Sequence, residues 1–435
     1  MQDKEPATGS SPLGAIKSLG PGVITGASDD DPSGIATYSQ AGAAFGYGML
    51  WLAIFQYPLM TAVQEMCARV GLVTGGGLGA AIRKKYSRKV LFPIASLLLV
   101  ANTINIGADI GAMSASVRLL VPQAPFVAVT IAFTVLILLA EVLIPYKRYV
   151  KVLKYLSLSL FAYITTTIIV SGSWSEILFS SVVPHVELNS NFAMMFVAIF
   201  GTTISPYLFF WQASEEAEED VAKDKIRDIG KGRPKISSGE VKIMRRDVAV
   251  GMAFSQLVMW AIVVTTAGSL NANGVTDVGS AEQAAKALEP LVKGFPYAGE
   301  ISRTIFALGI IGTGLLAIPV LAGASGYALA DAFGWKEGIN KKFKQAKAFY
   351  LVIISSTAIG MGINFASIDP IKALVYAAII NGVTAVPILF AVLRIANDGG
   401  ILGKKVNGRL SNILGYATLA IMAASVAIMF ATWSS

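Results

Sequence analysis

Cysteine, histidine and charged residues are scarce in this 435-residue sequence, which has one cysteine, one histidine and 14% charged residues. The single cysteine, Cys67, cannot form a disulfide bond within the chain, so redox chemistry gives no information about the compartment. The low charge, together with 54% hydrophobic residues and a mean hydropathy of +0.63, excludes a water-soluble globular protein. The sequence therefore predicts an integral membrane protein.

Apolar stretches of about 20 residues, the length that crosses a bilayer as a helix, recur along the sequence. Residues 1–13 are polar, lack the features of a signal peptide, and are predicted to be a disordered cytoplasmic tail. Residues 172–190 are predicted to be an extracytoplasmic loop. We predict an all-α integral membrane fold with eleven spans, at residues 14–42, 47–72, 90–118, 124–145, 150–171, 191–213, 248–268, 301–333, 346–363, 369–395 and 410–433.

The formal net charge of +8 reflects the placement of Lys and Arg rather than a surface for nucleic acid. With the N-terminus in the cytoplasm, the predicted topology leaves all but five of the 35 Lys and Arg residues on the cytoplasmic side. The exceptions are Arg118, Lys286, Lys293, Arg303 and Lys372. This excess is typical of short cytoplasmic loops, so it supports the orientation and predicts an extracytoplasmic C-terminus.

The first predicted span contains three consecutive carboxylates, Asp29, Asp30 and Asp31, followed by Pro32. A carboxylate near the bilayer centre costs about 2.5 kcal/mol or more, and proline removes a backbone donor. The segment must therefore line protein or water. Because no Lys or Arg is predicted at this depth nearby, we interpret Asp31 as a cation ligand. Asp29 and Asp30 are either further ligands or charges of an aqueous vestibule.

The sixth predicted span is interrupted in the same way, by residues 201–207 (GTTISPY). Two interrupted helices at matching positions indicate inverted repeats with a binding site at the membrane midplane. The repeats are predicted at residues 14–171 and 191–395, followed by a linker and the eleventh helix at residues 396–435. Freed carbonyls and facing helix C-termini favour a cationic substrate.

These motifs resemble the Nramp (natural resistance-associated macrophage protein) family of divalent-metal transporters, which share the leucine-transporter fold. The resemblance rests on residues 20–22 (GPG) before Asp31-Pro32-Ser33-Gly34, on residues 64–75 (QEMCARVGLVTG), and on residues 201–206 (GTTISP). It implies a transporter and not an enzyme, with divalent metal ions as substrates and no cofactor. It also implies alternating access in the inner membrane of a prokaryote. We expect a monomer whose partners are metal ions and lipid.

Two departures from the family pattern concern the metal site. The family typically has Asp-Pro-Gly-Asn, whereas this chain has Gly34 in place of the asparagine; where the family has methionine before proline, it has Ser205. A site of oxygens without the thioether suits hard ions, and Mg²⁺ keeps several waters. The pattern is similar to the Nramp-related magnesium transporters and favours Mg²⁺, with Mn²⁺ as well. The predicted metal residues are Asp31, Gly34, Thr202 and Ser205, then Asp29, Asp30, Thr203, Tyr207 and Asn381, with Pro32 and Pro206 as helix breakers.

A third departure concerns proton coupling. Coupled members of the family have a histidine in the sixth span and two acidic residues in the third. The matching positions here are Gln212, beside Trp211, and Asn105 and Ala108. A one-residue shift in the alignment would instead bring in Asp109. The only histidine, His185, lies in a predicted extracytoplasmic loop. Without groups that take up and release protons, the sequence predicts passive, voltage-driven uptake.

Three alternatives stay open at this point. A proton-coupled Mn²⁺ or Fe²⁺ transporter of the same family differs only at the positions just described. An amino-acid transporter of the same fold would have to bring an anionic carboxylate next to Asp31. A Mg²⁺-dependent intramembrane prenyltransferase also uses aspartate clusters, but it needs a second acidic motif and basic groups at membrane depth.

One acidic run lies outside these motifs. Residues 215–220 (EEAEED) follow the sixth predicted span. They either attract cations leaving the site or form the solvated start of a charged cytoplasmic loop, and we expect the latter.

Overall fold

The computed structural model describes residues 20–144, 160–170, 173–187, 189–366 and 368–432. These residues form helices joined by loops, and no β-strand occurs among them. The α-helices are α1 (Pro21–Asp29), α2 (Pro32–Phe45), α3 (Trp51–Thr74), α4 (Leu78–Tyr86), α5 (Arg88–Leu120), α6 (Phe126–Leu143), α7 (Phe161–Val170), α8 (Trp174–Val182), α9 (Ser190–Thr203), α10 (Pro206–Ala222), α11 (Ser238–Ser269), α12 (Ala281–Lys286), α13 (Ala298–Phe333), α14 (Lys347–Ile363), α15 (Pro370–Ala396), α16 (Gly399–Leu402) and α17 (Arg409–Thr432). Short 3₁₀ turns cover Gly46–Met49, Asn271–Asn273, Glu289–Val292, Phe343–Gln345 and Gly403–Lys405.

Each predicted span is mostly helical over its described residues, and the all-α membrane fold is confirmed. Residues 14–19, 145, 150–159, 171 and 433 of the predicted spans lie outside the described part, as does the predicted tail at residues 1–13. Length and apolarity alone qualify seven of the described helical segments as membrane spans. The number eleven therefore stays a prediction. The seven are Arg88–Leu120, Phe126–Leu143, Ser190–Ala222, Ser238–Asn273, Ala298–Phe333, Pro370–Ala396 and Arg409–Thr432.

The predicted interruptions of the first and sixth spans are confirmed. Helix α1 ends at Asp29 and α2 begins at Pro32, while α9 ends at Thr203 and α10 begins at Pro206. Each proline occupies the first helical position, where its missing N–H would have had no intrahelical partner. Because proline cannot continue the preceding helix, the last carbonyl groups of that helix are left without intrahelical partners at the break.

Close backbone packing holds the broken helices against unbroken ones. Helices α1 and α2 pack along α11, and α9 packs along α15. A Cβ atom at Gly26 would clash with the backbone of Gly251, and one at Gly201 would clash with the carbonyl of Ala378. Small residues permit such close contacts between membrane helices. The two breaks are thereby fixed inside the bundle.

The predicted loop at residues 172–190 contains a helix. Ser173 precedes α8, and its hydroxyl accepts a hydrogen bond from the backbone N–H of Glu176. A serine N-cap satisfies a free N–H at the start of a helix, and this local signal explains why α8 begins there.

Candidate cation site

The two helix breaks lie next to each other in the interior. The Tyr207 hydroxyl on α10 donates a hydrogen bond of 3.2 Å to the carbonyl of Ser28 on α1. A Cβ atom at Gly34 on α2 would lie 3.2 Å from Oγ1 of Thr202 on α9. Asp31, Thr202 and Ser205 are each only 1% exposed, so the site between the breaks is closed to solvent in this conformation.

Asp31 is the carboxylate at the centre of this site. Its Oδ1 accepts hydrogen bonds from the Ser33 hydroxyl at 2.6 Å and from the Gly34 backbone N–H at 2.7 Å. Its Oδ2 accepts from Nδ2 of Asn105 on α5 at 3.0 Å. An ionised carboxylate offers about four acceptor positions, so the three donors fix its orientation and still leave room for a cation.

Hydroxyl and carbonyl oxygens are also gathered at the second break. The Ser205 hydroxyl lies 2.6 Å from the carbonyl of Gly201 and 2.7 Å from that of Thr202, and it donates to these freed groups. The Ser205 oxygen keeps its lone pairs for an ion. The Thr203 hydroxyl instead donates to the Ile199 carbonyl and lies 3.3 Å from Gln56 Oε1 on α3. The structure therefore brings Thr202 and Ser205 to the break, whereas Thr203 contacts another helix.

Gly34 lies at a position where any side chain would contact residues of both helix breaks. A Cβ atom there would lie 3.2 Å from Thr202 Oγ1, 3.3 Å from Tyr38 Cε2 and 3.4 Å from the Asp29 carbonyl. Thr202 and Tyr38 therefore leave little free space around Gly34 in this conformation. Any space for hydrated ions has to come from movement of the helices.

Asp29 and Asp30 are fully buried at the end of α1. The Ser255 hydroxyl on α11 lies 2.5 Å from Asp29 Oδ2 and 3.4 Å from Asp30 Oδ1. The vestibule interpretation is wrong for this conformation, since neither side chain reaches solvent. Across the described ranges, no three His, Cys, Asp or Glu side chains converge as a metal cage.

Polar residues of α5 and α15 extend the site. Asn105 Nδ2 also donates to Asp109 Oδ2 at 3.1 Å, and Asn105 Oδ1 accepts from Asn381 Nδ2 at 2.8 Å. Ala108 is buried on the same helix and has no polar side chain. Asn105 was predicted only as a replaced proton relay, and its contact with Asp31 was not predicted. The spacing of Asn105 and Asp109, one helical turn apart, was the available signal.

The two remaining altered proton-path positions, Trp211 and Gln212, lie on α10 beyond the second break. Gln212 Nε2 donates to Glu216 Oε1 at 3.0 Å, and the Trp211 ring packs edge-on against Tyr327 with centroids 6.2 Å apart. His185 is exposed, as predicted, and lies 3.2 Å from Glu187.

The expectation of a solvated acidic run at residues 215–220 is wrong. Helix α10 continues to Ala222, and four carboxylates of the run are buried: Glu215, Glu216, Glu218 and Asp220. The reason is that α10 packs against α13 along this stretch. The run is part of the folded bundle.

Glu218 shows how this acidic region is held. It accepts hydrogen bonds from the Tyr327 hydroxyl at 3.0 Å and from Asn340 Nδ2 at 2.9 Å. Burial, reinforced by the negative charge of Asp331, raises the pKa of the neighbouring Glu337 well above its usual range. These contacts tie the end of α10 to α13 and the loop after it.

Replacing Tyr207 with phenylalanine is expected to slow divalent-metal uptake into liposomes about fivefold, because the hydrogen bond joining the two breaks is lost. Tyr57→Phe is the matched control, since its hydroxyl donates to the Ala249 carbonyl at 3.3 Å, away from the breaks. Both variants should lose about 1 kcal/mol of stability in thermal unfolding. Equal uptake rates in the two variants would contradict the importance of the Tyr207 contact.

Comparison with known proteins agrees with this geometry. A family model described as natural resistance-associated macrophage protein-like matches residues 22–432. The chain is 25% identical over 410 residues to the divalent metal cation transporter MntH of Klebsiella pneumoniae (strain 342), covering 93% of this chain and 91% of the relative. It is 24% identical over 413 residues to MntH of Yersinia enterocolitica, covering 91% and 90%.

Solved structures show the same fold at low identity. A manganese transporter of Eremococcus coleocola superposes with a TM-score of 0.73 at 17% identity, covering 98% of this chain and 88% of that one. Mhp1, a nucleobase-cation-symport-1 family transporter in a closed conformation, gives a TM-score of 0.52 at 14% identity, with coverage of 95% and 93%. The predicted leucine-transporter fold is thereby confirmed.

Proposed function

The chain belongs to the Nramp family, whose members are membrane transporters and not enzymes, and we propose that this member carries partly hydrated Mg²⁺ without proton coupling. Family membership makes the chain a multi-pass divalent-metal transporter with the metal as substrate. It also removes the prenyltransferase alternative. The proposal includes a preference for Mg²⁺, with Mn²⁺ as a second substrate. It also includes a monomeric state and a place in the inner membrane with the N-terminus in the cytoplasm.

The observation that carries the Mg²⁺ preference is the chemistry around Asp31. The oxygens at the second break are the hydroxyls of Thr202 and Ser205 and the carbonyls that Ser205 contacts, and Thr202 Oγ1 lies 3.2 Å from where a Cβ atom on Gly34 would be. Mg²⁺ usually meets one or two carboxylates and keeps several waters, whereas a thioether favours softer metals. A serine at the position of the family's methionine therefore supports a hard, hydrated ion as substrate.

The absence of proton coupling is supported by the groups around the carboxylate. Asn105, Ala108 and Gln212 cannot take up and release protons. The amide of Asn105 stands between the carboxylates of Asp31 and Asp109, and an amide does not relay a proton. A proton-coupled Mn²⁺ or Fe²⁺ transporter is the second candidate, and the nearness of Asp109 is the observation that favours it.

Transport in this proposal occurs by alternating access, with the broken helices moving against the rest of the two repeats. Asp247 on α11 accepts backbone N–H bonds from Gly20 at 3.1 Å and Gly22 at 2.7 Å, which ties down the start of α1. At the other end, Gln40 on α2 donates to the Thr276 carbonyl and accepts from the Val278 N–H. In this proposal, opening of the buried site breaks one of these two sets of hydrogen bonds.

Competition between metals in proteoliposomes tests the proposed preference. Mg²⁺ should inhibit uptake of Mn²⁺ at concentrations close to those at which Mg²⁺ itself is transported, because both ions use Asp31. Mn²⁺ uptake that is unaffected by a large excess of Mg²⁺ would favour the second candidate. Asp31→Ala, which removes the shared carboxylate, serves as the background in both measurements.

A further inference from the structure

The amide of Asn105 has a fixed orientation. Ionised carboxylates only accept hydrogen bonds, so the Nδ2 group must be the one that faces Asp31 Oδ2 at 3.0 Å and Asp109 Oδ2 at 3.1 Å. Asn105 Oδ1 then faces α15 and requires a donor, which is Nδ2 of Asn381 at 2.8 Å. This chain of contacts fixes the Asn381 amide as well and leaves its Oδ1 as an acceptor.

Two acceptor oxygens of this network have no hydrogen-bond partner among the described residues: Asp109 Oδ1 and Asn381 Oδ1. Both side chains are 0% exposed, and they come from two different helices, α5 and α15. A buried acceptor without a donor is costly, and a buried carboxylate without compensation more so. Both oxygens can be satisfied by a cation or by the waters that a cation carries.

We propose that Asp109 and Asn381 form a second ion-binding position, adjoining Asp31, that takes the divalent cation with its inner water shell. This inference rests on the proposed function. Asp31 and Asp109 both accept from a single nitrogen, so two negative charges lie close together and match the charge of one divalent ion. Water bridges let a hydrated Mg²⁺ interact with both carboxylates.

The position of Asp109 on α5 shows where the second ion-binding position lies relative to Asp31. Asp109 lies four residues beyond Asn105 on α5, or about 6 Å along the helix axis. Asp31 Oδ2 and Asp109 Oδ2 both lie within 3.1 Å of Asn105 Nδ2, so the second position adjoins the first. An ion could therefore move between the two positions without leaving carboxylate charge behind.

Asp109→Asn removes the charge while keeping the size of the side chain. We expect the variant to raise the KM for Mg²⁺ uptake into proteoliposomes, and the Kd for Mg²⁺ in calorimetric titration, roughly 10- to 100-fold. Asp109→Glu, which restores the charge, should recover most of the affinity. Glu141→Gln is the matched control, because Glu141 is another carboxylate with buried oxygens, on α6. It should leave both constants unchanged.

Unchanged KM and Kd in folded Asp109→Asn protein would overturn the second position. Equal weakening by Glu141→Gln, or no recovery in Asp109→Glu, would overturn it as well, because the effect would then not depend on a charge at this place. If the unaltered protein carries Mn²⁺ but no Mg²⁺, the proposed function fails. The same comparison made with Mn²⁺ then decides the role of Asp109 separately.

Discussion

Replacing Asp31 with alanine is expected to reduce Mg²⁺ uptake about 100-fold or more, to the background of empty liposomes. Asp31 holds the formal charge between the two helix breaks, where three donors orient it and only 1% of its surface is exposed. Without that charge, Mg²⁺ would have to exchange water for neutral hydroxyls and carbonyls alone. The measurement is the initial rate of Mg²⁺ uptake under a fixed membrane potential.

A second Asp-Pro pair in the chain provides the control. Asp369 precedes Pro370 and caps α15 by accepting from the N–H groups of Ile371 and Lys372, much as Asp31 caps α2. Asp369→Ala removes a comparable cap, worth about 1 kcal/mol, and leaves Asp31 in place. Uptake should persist in this variant. Retained uptake in Asp31→Ala, or equal loss in both variants, would refute the role of Asp31 as ion ligand.

Replacing Gly34 with asparagine is expected to lower Mg²⁺ uptake roughly 10- to 100-fold, with a smaller effect on Mn²⁺. Even a Cβ atom at this position meets Thr202, Tyr38 and the Asp29 carbonyl at 3.2 to 3.4 Å. The rest of the side chain fills space that waters of a hydrated ion need and adds an amide oxygen as a direct ligand. Mn²⁺ loses water more readily, so it should tolerate this change better.

Gly362→Asn is the matched control for this substitution. Gly362 lies within α14, and a Cβ atom there would have no heavy atom within 4 Å. Uptake of both metals by this variant should resemble that of the unaltered protein. If Gly34→Asn transports Mg²⁺ at the normal rate, or loses Mg²⁺ and Mn²⁺ uptake to the same extent, hydration is not the basis of selectivity.

The helix breaks could be predicted from sequence because their signal is local. Carboxylates and Pro32 in one apolar stretch, and Pro206 in another, conflict with a continuous membrane helix wherever the rest of the chain packs. The all-α fold followed from the same kind of evidence, since apolar stretches of membrane length leave few other structures.

The contacts of the site could not be predicted in the same way. The bond between Asp31 and Asn105 joins residues 74 positions apart, and it depends on how α2 and α5 are rotated in the bundle. The acidic run at residues 215–220 was wrongly expected in solvent because its composition is that of a surface helix. Its burial results from the packing of α10 against α13, which the sequence of α10 does not contain.

Uptake of Mg²⁺ and Mn²⁺, each measured separately in proteoliposomes with a membrane potential and an internal pH dye, tests the central claim most directly. The proposal predicts Mg²⁺ uptake with no change in internal pH, and its loss in Asp31→Ala. Mn²⁺ uptake accompanied by acidification, with no movement of Mg²⁺, would contradict it. The interpretation of Gly34, Ser205 and Gln212 would then be wrong, and the chain would be a proton-coupled transporter.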